Sequence, residues 1–498
     1  MKTLDRAVES FSEQEYDVII VGGGMYGLML TLEAVRRNLR PLLLEERDFI
    51  GQTSQNHLRT VHGGLRYLQV ADFSRFWDSV GERKWFLQYF PEYTRAMPCL
   101  MPLYNKKLHR RCIMWPALVL NDMLSAHRNR GVSRECHLPA GKILSRPATI
   151  KAFAGVQTDG LKGGAAWYDG SLVEFQRLFS RLLRLAVSLG AGGLNYMKVS
   201  GLLTTDGRVA GVRARDLEGG REWEFRAGKV INAAGPWARE VAALFDRDYP
   251  ELFLKRLLLW NVLFDREALS DFALGLSTKK GGGHTYFFHP WQNRLLVGTG
   301  EKIVEKGAGE TRVTDGDMAA FIQDINRLVP GLALKESDIL RVYPGILPAN
   351  DKGKLAARPV FIDHGQHNGP KGLFSVSGVK FTTARLVADR TLKRVFPGLF
   401  RQPYNELLTG FPGLGDTCFP DYDWRPKDDR DMEKLRRIVA EEAVVHLGDL
   451  VIRRTSLGDN PKRALAILPQ LKGLFDWPEA KWQAEVETLK RELGRETG

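Results

Sequence analysis

The stretch Tyr16-Asp17-Val18-Ile19-Ile20-Val21-Gly22-Gly23-Gly24-Met25-Tyr26-Gly27-Leu28-Met29-Leu30 decides the fold. Asp17 to Val21 is a short β-branched run that ends directly on glycines, the pattern of a buried parallel strand. A helical pattern follows through Met29, Leu30, Leu32 and Val35, and a second strand is predicted at Pro41–Leu44, closing on Glu45. Gly22-x-Gly24-x-x-Gly27 therefore sits between a strand and a helix. Gly22 permits the tight turn, Gly24 lets backbone approach a pyrophosphate, and Gly27 lets the helix pack on the sheet. The free N–H groups at the helix start attract phosphates. Glu45, 23 positions after Gly22, is placed to accept hydrogen bonds from a ribose diol. Strand, glycines, helix, strand and acid in this order predict a dinucleotide site, without separating FAD from NAD.

Outward from this unit, 498 residues allow two or three domains with a large core. No apolar run is long enough to span a membrane, and the first fifteen residues carry acids rather than a secretory apolar segment. Cys99, Cys112, Cys136 and Cys418 are scattered without paired spacing, so neither a metal site nor a disulfide framework is expected, which fits a cytoplasmic chain. The net charge of +13 is compatible with an acidic ligand, an anionic membrane surface or a merely solvated basic exterior. No nucleic-acid module is present, so nucleic acid is not an expected partner. Nothing in the sequence signals an oligomeric state.

Further motifs follow in order. Thr53-Ser54 leads into His62-Gly63-Gly64-Leu65-Arg66-Tyr67-Leu68; then come Asn232-Ala233-Ala234-Gly235-Pro236-Trp237, His289-Pro290-Trp291, Gly298-Thr299 and Ser377-Gly378-Val379-Lys380-Phe381-Thr382-Thr383. The run Val230–Gly235 reads as a buried strand ending in small residues, where backbone approaches a ligand. Gly63-Gly64 would let a loop lie against a flat ring. Gly378 to Thr383 resembles a second helix start, suited to an anionic reduced ring. In this order the blocks resemble the flavin-dependent glycerol-3-phosphate dehydrogenases, within the D-amino-acid-oxidase-like superfamily, over nearly the whole chain. His446–Gly458, HLGDLVIRRTSLG, is similar to that family's C-terminal region.

The resemblance implies an α/β fold in which a Rossmann-type FAD-binding domain is interleaved with an antiparallel-sheet substrate domain, plus a C-terminal helical domain. The expected limits are 1–245 for the FAD-binding domain, with 340–410 returning to it. Residues 246–339 form the sheet or cap, with strands at Leu257–Phe264, Thr285–His289 and Leu295–Val297, and 415–498 the helical domain. A turn-rich linker is expected from Leu408 to Pro426. FAD is the implied cofactor, held non-covalently. Its expected contacts are Gly22, Gly24, Met25, Tyr26, Gly27, Glu45, Glu46, Thr53, Ser54, His62, Gly63, Gly64, Ala234, Gly235, Trp237, Gly378, Lys380, Phe381 and Thr382. His57 is where covalent attachment, as in some members of the superfamily, would have to occur.

The implied reaction takes a hydride from a hydroxylated, optionally phosphorylated, small substrate onto flavin N5. Arg66, Tyr67, Asn261, His289, Arg358 and Lys380 are the expected catalytic residues. Two positions depart from the family. Where the pattern Y-x-G-x-R-P carries an anion-gripping arginine, this chain has Tyr343-Pro344-Gly345-Ile346-Leu347-Pro348. Where K-G-S-H carries a histidine, it has Leu258-Leu259-Trp260-Asn261. Leucine offers no bidentate fork and asparagine is no base. His289 and His284 remain as alternative bases, and Leu257–Trp260 makes the site more apolar. An amine or amino-acid oxidase reducing oxygen, and a flavin-binding protein with altered catalysis, stay open as alternatives. Finally, the basic run Asn105–Arg111 before Cys112–Leu120, with Trp115, has the pattern of an interfacial anchor. By the resemblance it implies peripheral attachment to the inner membrane surface and electron transfer to quinone.

Overall fold

A computed structural model describes residues 3, 4, 6–104, 110–252, 255–279, 282–304, 312–350, 352–408 and 424–494. The nucleotide-binding half is built on a six-stranded sheet. Its strands Leu373–Ser377, Val230–Asn232, Val18–Val21, Pro41–Leu44 and Gly192–Leu194 lie side by side and parallel, with Val360–Asp363 antiparallel at one edge. Val18 to Val21 and Pro41 to Leu44 are buried throughout, as central strands covered on both faces must be. The helices Met25–Val35, Phe175–Ser188 and Ala384–Val395 cover one face and share a core that includes Met29, Leu32, Leu182 and Leu392. A four-stranded sheet, Glu15–Tyr16, Glu222–Ala227, Arg208–Asp216 and Met197–Thr205, flanks this half.

The second half is a nine-stranded, mainly antiparallel sheet. Lys255–Glu267, Gly282–Trp291 and Arg294–Val304 contain the three strands predicted from alternation. The sheet does not stop at the expected limits. Ile339–Ala349 pairs along one side of Lys255–Glu267, and Thr94–Leu103 and Gly163–Leu172 pair with each other and extend the sheet through Ala273–Lys279. Residues near 94–103 and 163–172, expected in the nucleotide-binding half, thus belong to the substrate sheet, because their backbone hydrogen bonds are satisfied there. The helix Asp315–Leu328, started by a Thr314–Asp317 capping box, covers the outer face of the sheet through Met318, Phe321, Ile322 and Ile325.

The C-terminal region is helical, with Asp429–Glu441, Pro461–Ala466 and Glu479–Leu493 around a small core of Leu435, Leu450, Leu471 and Leu489. Most of the predicted linker, and Asn105–His109 of the basic run, lie outside the described residues.

Candidate functional site

Gly22 and Gly27 occupy the tight positions the turn predicts. Gly22 has φ +106°, and a Cβ there would stand 2.8 Å from the carbonyl oxygen of Ala233, so the turn lies directly against the Asn232–Ala234 bend. A Cβ on Gly27 would fall 1.8 Å from the Gly22 carbonyl oxygen, so any side chain would push the helix off the strand. Gly24 is the helix N-cap and offers no side-chain cap; Ser54 Oγ accepts from the Met25 N–H at 2.9 Å instead. The Glu45 carboxylate accepts from the backbone N–H of Gly23 at 2.5 Å and of Arg47 at 2.9 Å, which places it beside the glycine turn. Glu46 is exposed and pairs with Lys198 at 2.8 Å, away from that turn. Met25 is buried in the core.

The two bends beyond the sheet converge on the same edge. Ala234 N–H donates to Asn232 Oδ1 at 3.2 Å, and the Gly235 carbonyl, at φ +56°, accepts from Ser377 Oγ at 3.1 Å. Trp237 is half-buried beside it. Tyr26 lies across Gly378, where a Cβ would be 2.3 Å from the tyrosine hydroxyl, and that hydroxyl donates to the Lys380 carbonyl at 3.3 Å. Thr382 is buried, and the helix Ala384–Val395 begins at Thr383 without a side-chain cap. Phe381 turns into the core, stacked on Phe86 at 5.8 Å and 4.4 Å from the His57 ring. His57 itself accepts from the Arg59 N–H at 2.9 Å, while its Nε2 is buried without a hydrogen-bond partner.

The His62-Gly63-Gly64 loop is fixed from beneath by residues the sequence did not single out. Gly63 N–H donates to Asp169 Oδ1 at 2.6 Å, and Arg83 Nη1 donates to the same oxygen at 2.7 Å and to the Tyr168 carbonyl at 2.8 Å. A Cβ on Gly63 would sit 1.9 Å from Arg83 Nη1, so only glycine fits. Gly64, at φ +81°, caps the short helix Leu65–Leu68. His62 is exposed, its ring 6.4 Å from that of Phe287.

That helix delivers Tyr67 to Lys380. Lys380 Nζ lies 4.1 Å from the Tyr67 ring centroid, and the Arg75 guanidinium carbon lies 4.8 Å from it. Among the described residues no carboxylate pairs with Lys380. Burial lowers its pKa to about 8, helped by Arg75 and opposed by Asp72 and Asp78. Arg66 and Arg358 are exposed on the rim of this cluster: the charge of Arg66 acts on Tyr67, and that of Arg358 on Asp72. Arg75 lies in none of the motifs that the sequence offers; its place is set by Asp72, which caps the Phe73–Tyr89 helix and pairs with the Arg75 guanidinium at 2.6 Å.

The substrate-sheet residues have other partners. Asn261 is buried, donating to the Asn56 carbonyl at 3.0 Å and accepting from Thr299 Oγ1 at 3.2 Å. His289 is buried with Nδ1 3.0 Å from the Leu58 carbonyl and Nε2 3.1 Å from Ser171 Oγ. A carbonyl at Nδ1 requires a proton there, so Nε2 takes the serine hydroxyl as a neutral ring. Burial lowers its pKa to about 4. Both residues therefore hold the 56–58 loop against the sheet, with their hydrogen-bonding groups engaged, and neither touches Lys380 or Tyr67 through the contacts above. His284 is likewise engaged, with Nε2 2.8 Å from the Thr299 carbonyl. Leu257 faces Leu347 and Leu259 faces Gly345 in register, and Thr53 packs on Gly345 while its hydroxyl bonds the Ile346 carbonyl at 2.8 Å. Leu347, where the resemblance led to the expectation of an arginine, thus lies against Leu257 in the sheet.

Residues 17–394 match the family described as DAO, FAD dependent oxidoreductase. The chain is 28% identical over 414 residues to a glycerol-3-phosphate dehydrogenase of Synechocystis sp., covering 80% of this chain and 73% of that one. It is 30% identical over 389 residues to a glycerol-3-phosphate dehydrogenase of Mycobacterium leprae, covering 77% of this chain and 63% of that one. In fold it is similar to the glycerol-3-phosphate dehydrogenase from Bacillus halodurans complexed with FAD, with a TM-score of 0.72 at 21% identity over 99% of this chain and 98% of that one. It is also similar to L-alpha-glycerophosphate oxidase from Mycoplasma pneumoniae with FAD bound, with a TM-score of 0.56 at 16% identity over 78% of this chain and 97% of that one.

Proposed function

Because the chain belongs to the FAD-dependent oxidoreductase family, we propose that its site oxidises the hydroxyl-bearing carbon of a small anionic substrate of the glycerol 3-phosphate kind. FAD is the cofactor, and the residues present fit it. Two helices, at Gly24 and Thr383, start without a cap from their own N-cap side chain, and Gly22 and Gly27, where a Cβ would meet backbone, keep the turn tight against the sheet. When bound, FAD accepts the hydride that leaves the substrate carbon.

The chain's own residues do the rest. Ser54 and the Met25 helix would hold the pyrophosphate end, and Glu45 the ribose. The His62-Gly63-Gly64 loop, braced by Asp169 and Arg83, offers a flat backbone surface for the ring system. The observation that carries the reading is Lys380: a half-buried ammonium on the Tyr67 ring, without a carboxylate among the described residues, next to the Gly378 bend. It would bind the anionic end of the substrate, with Arg66 and Arg358 drawing that anion toward the mouth. Lys380 would then supply the anion grip that Leu347 cannot. Leu257, Leu259 and Leu347 would exclude water above the reacting carbon.

Anaerobic loss of the oxidised flavin's visible absorbance on adding glycerol 3-phosphate tests the reading. Bleaching by this compound supports it; bleaching only by amines or amino acids replaces it with the oxidase reading.

We further propose that the enzyme works at a membrane surface and passes electrons to quinone. The support is an apolar face beside the site. The helix Arg111–Leu124 buries only Met114, Leu118 and Asn121, leaving Trp115 at 60% and Met123 at 69% exposure, and it packs beside Leu65–Leu68. Val70, Phe73 and Trp77 are exposed on the segment that follows Leu65–Leu68. Arg110 and Arg111 stand at the start of the helix, as an anionic surface favours. No helix among the described residues is long and apolar enough to cross a membrane.

A further inference from the structure

The loop from Glu45 to Arg59, which carries Thr53 and Ser54, is tied to the C-terminal helices at three points. Asp48 is buried and takes two parallel hydrogen bonds from Arg454, both 2.7 Å, one from Arg453 at 3.0 Å and one from Asn195 at 2.9 Å. Gln55 Nε2 donates to the Ile452 carbonyl at 2.8 Å. Arg59, also buried, lies 3.7 Å from Asp459, whose carboxylate also accepts from the Tyr343 hydroxyl at 2.9 Å and from Gln176 at 3.2 Å.

The loop's own backbone needs such support. Ile50 has φ +63° and Arg59 φ +58°, the left-handed region that a β-branched or bulky residue does not choose unaided. The anchors sit at these two points: Asp48 is two residues before Ile50, and Arg59 is itself an anchor. Ile50 N–H in turn donates to the Gly23 carbonyl at 3.0 Å, joining the held loop to the nucleotide turn. The side chains of Asp48, Arg454 and Asp459 bond to none of the glycines of that turn. Their partners are one another and neighbouring residues, and each is a buried charge that loses its compensation if the helices move away.

We propose that the C-terminal helical region is a clasp for the cofactor loop, with Arg454 and Asp459 as positioning residues, so that FAD affinity and docking of these helices are coupled. The inference rests on the FAD site proposed above. Coupling is reciprocal: docked helices tighten FAD binding, and bound FAD holds the helices down. Glu485 provides a contrast. It secures the same helices through His446 at 2.8 Å and the Leu447 N–H at 2.9 Å without touching the loop.

The test measures the FAD dissociation constant of the full chain by flavin fluorescence, with limited proteolysis of the C-terminal helices at increasing FAD. Arg454→Gln and Asp459→Asn should weaken FAD binding on the order of tenfold or more, the scale of linked sites. Glu485→Gln should leave FAD affinity near that of the natural chain. In that natural chain, FAD should slow cleavage of the C-terminal helices. Unchanged affinity in Arg454→Gln, an equal loss in Glu485→Gln, or cleavage of the natural chain indifferent to FAD would each overturn the clasp. Absence of FAD binding by the natural chain would instead overturn the site reading beneath it. The proteolysis arm needs no variant and decides the matter if Arg454→Gln fails to fold.

Discussion

Lys380 Nζ and the Tyr67 ring, 313 positions apart in the chain, meet at 4.1 Å, the contact on which the proposed anion site rests. The contact keeps an ammonium in place without neutralising it, because an aromatic face attracts a cation but carries no net charge.

This arrangement makes the site pH-dependent. With its pKa lowered to about 8 by burial, Lys380 is charged below that pH and neutral above it. kcat/KM for an anionic substrate should therefore fall as pH rises through about 8. Lys380→Met should raise KM roughly 10- to 100-fold, the worth of a charged hydrogen bond, and abolish this fall. Lys380→Arg, which stays charged, should shift the fall well upward. A Lys380→Met enzyme with the natural pH profile would remove Lys380 from the site.

Asp169 is buried beneath the His62–Gly64 loop and accepts from the Gly63 N–H. Asp169→Ala strips the Gly63 N–H and the buried Arg83 of their shared acceptor, at a cost of about 3–5 kcal/mol. Thermal unfolding should show this loss, and FAD should be released faster than from the natural chain. An unchanged melting temperature would mean that Arg83 finds compensation in the Tyr168 carbonyl alone.

His446 bridges Glu485 at 2.8 Å and Glu218 at 3.1 Å. Burial pushes its pKa down, but the hydrogen bond to Glu485 and the charges of Asp449, Glu485 and Glu218 outweigh this and raise it to about 9. A folded-state pKa above the unfolded value of about 6.5 contributes stability that is complete below that value and lost as pH rises through about 9. Denaturant titrations should show a loss of about 3 kcal/mol between pH 6.5 and 9.5, absent in His446→Gln. Parallel curves for both proteins would show that the bridge carries no such weight.

The apolar face makes a prediction at a membrane. The natural chain should sediment with vesicles containing anionic lipid, and Trp77→Glu with Trp115→Glu should abolish sedimentation while leaving flavin bleaching by substrate in solution unchanged. Sedimentation indifferent to both substitutions would place the membrane contact elsewhere or nowhere.

Local pattern was enough for the nucleotide-binding turn. Strand, glycines, helix and Glu45 are adjacent in the chain, so the turn's outline follows from local backbone geometry, while Ala233, Ser54 and Ile50 pack on it from a distance. The substrate-sheet strands were visible by alternation, yet Thr94–Leu103 and Gly163–Leu172 were misplaced, since alternation shows that a strand has two faces and not which sheet takes its edge. The same limit applied to single residues. His289 and Asn261 carry chemically capable side chains, and only the positions of the Leu58 and Asn56 carbonyls decide that these groups are occupied. Glu46, expected among the cofactor contacts, pairs with Lys198 instead, since strand ends project neighbouring side chains to opposite sides.

The sequence by itself determined the dinucleotide turn and the family, because these are written in contiguous residues. Tertiary structure alone decided that Lys380 stands on the Tyr67 ring with no carboxylate pairing it among the described residues, that Asp169 and Arg83 brace Gly63, and that Asp48 and Arg454 tie the Glu45–Arg59 loop to the C-terminal helices. The reason is physical: a charge's effect depends on what burial and folding bring within a few ångströms of it, and those partners lie tens to hundreds of residues away.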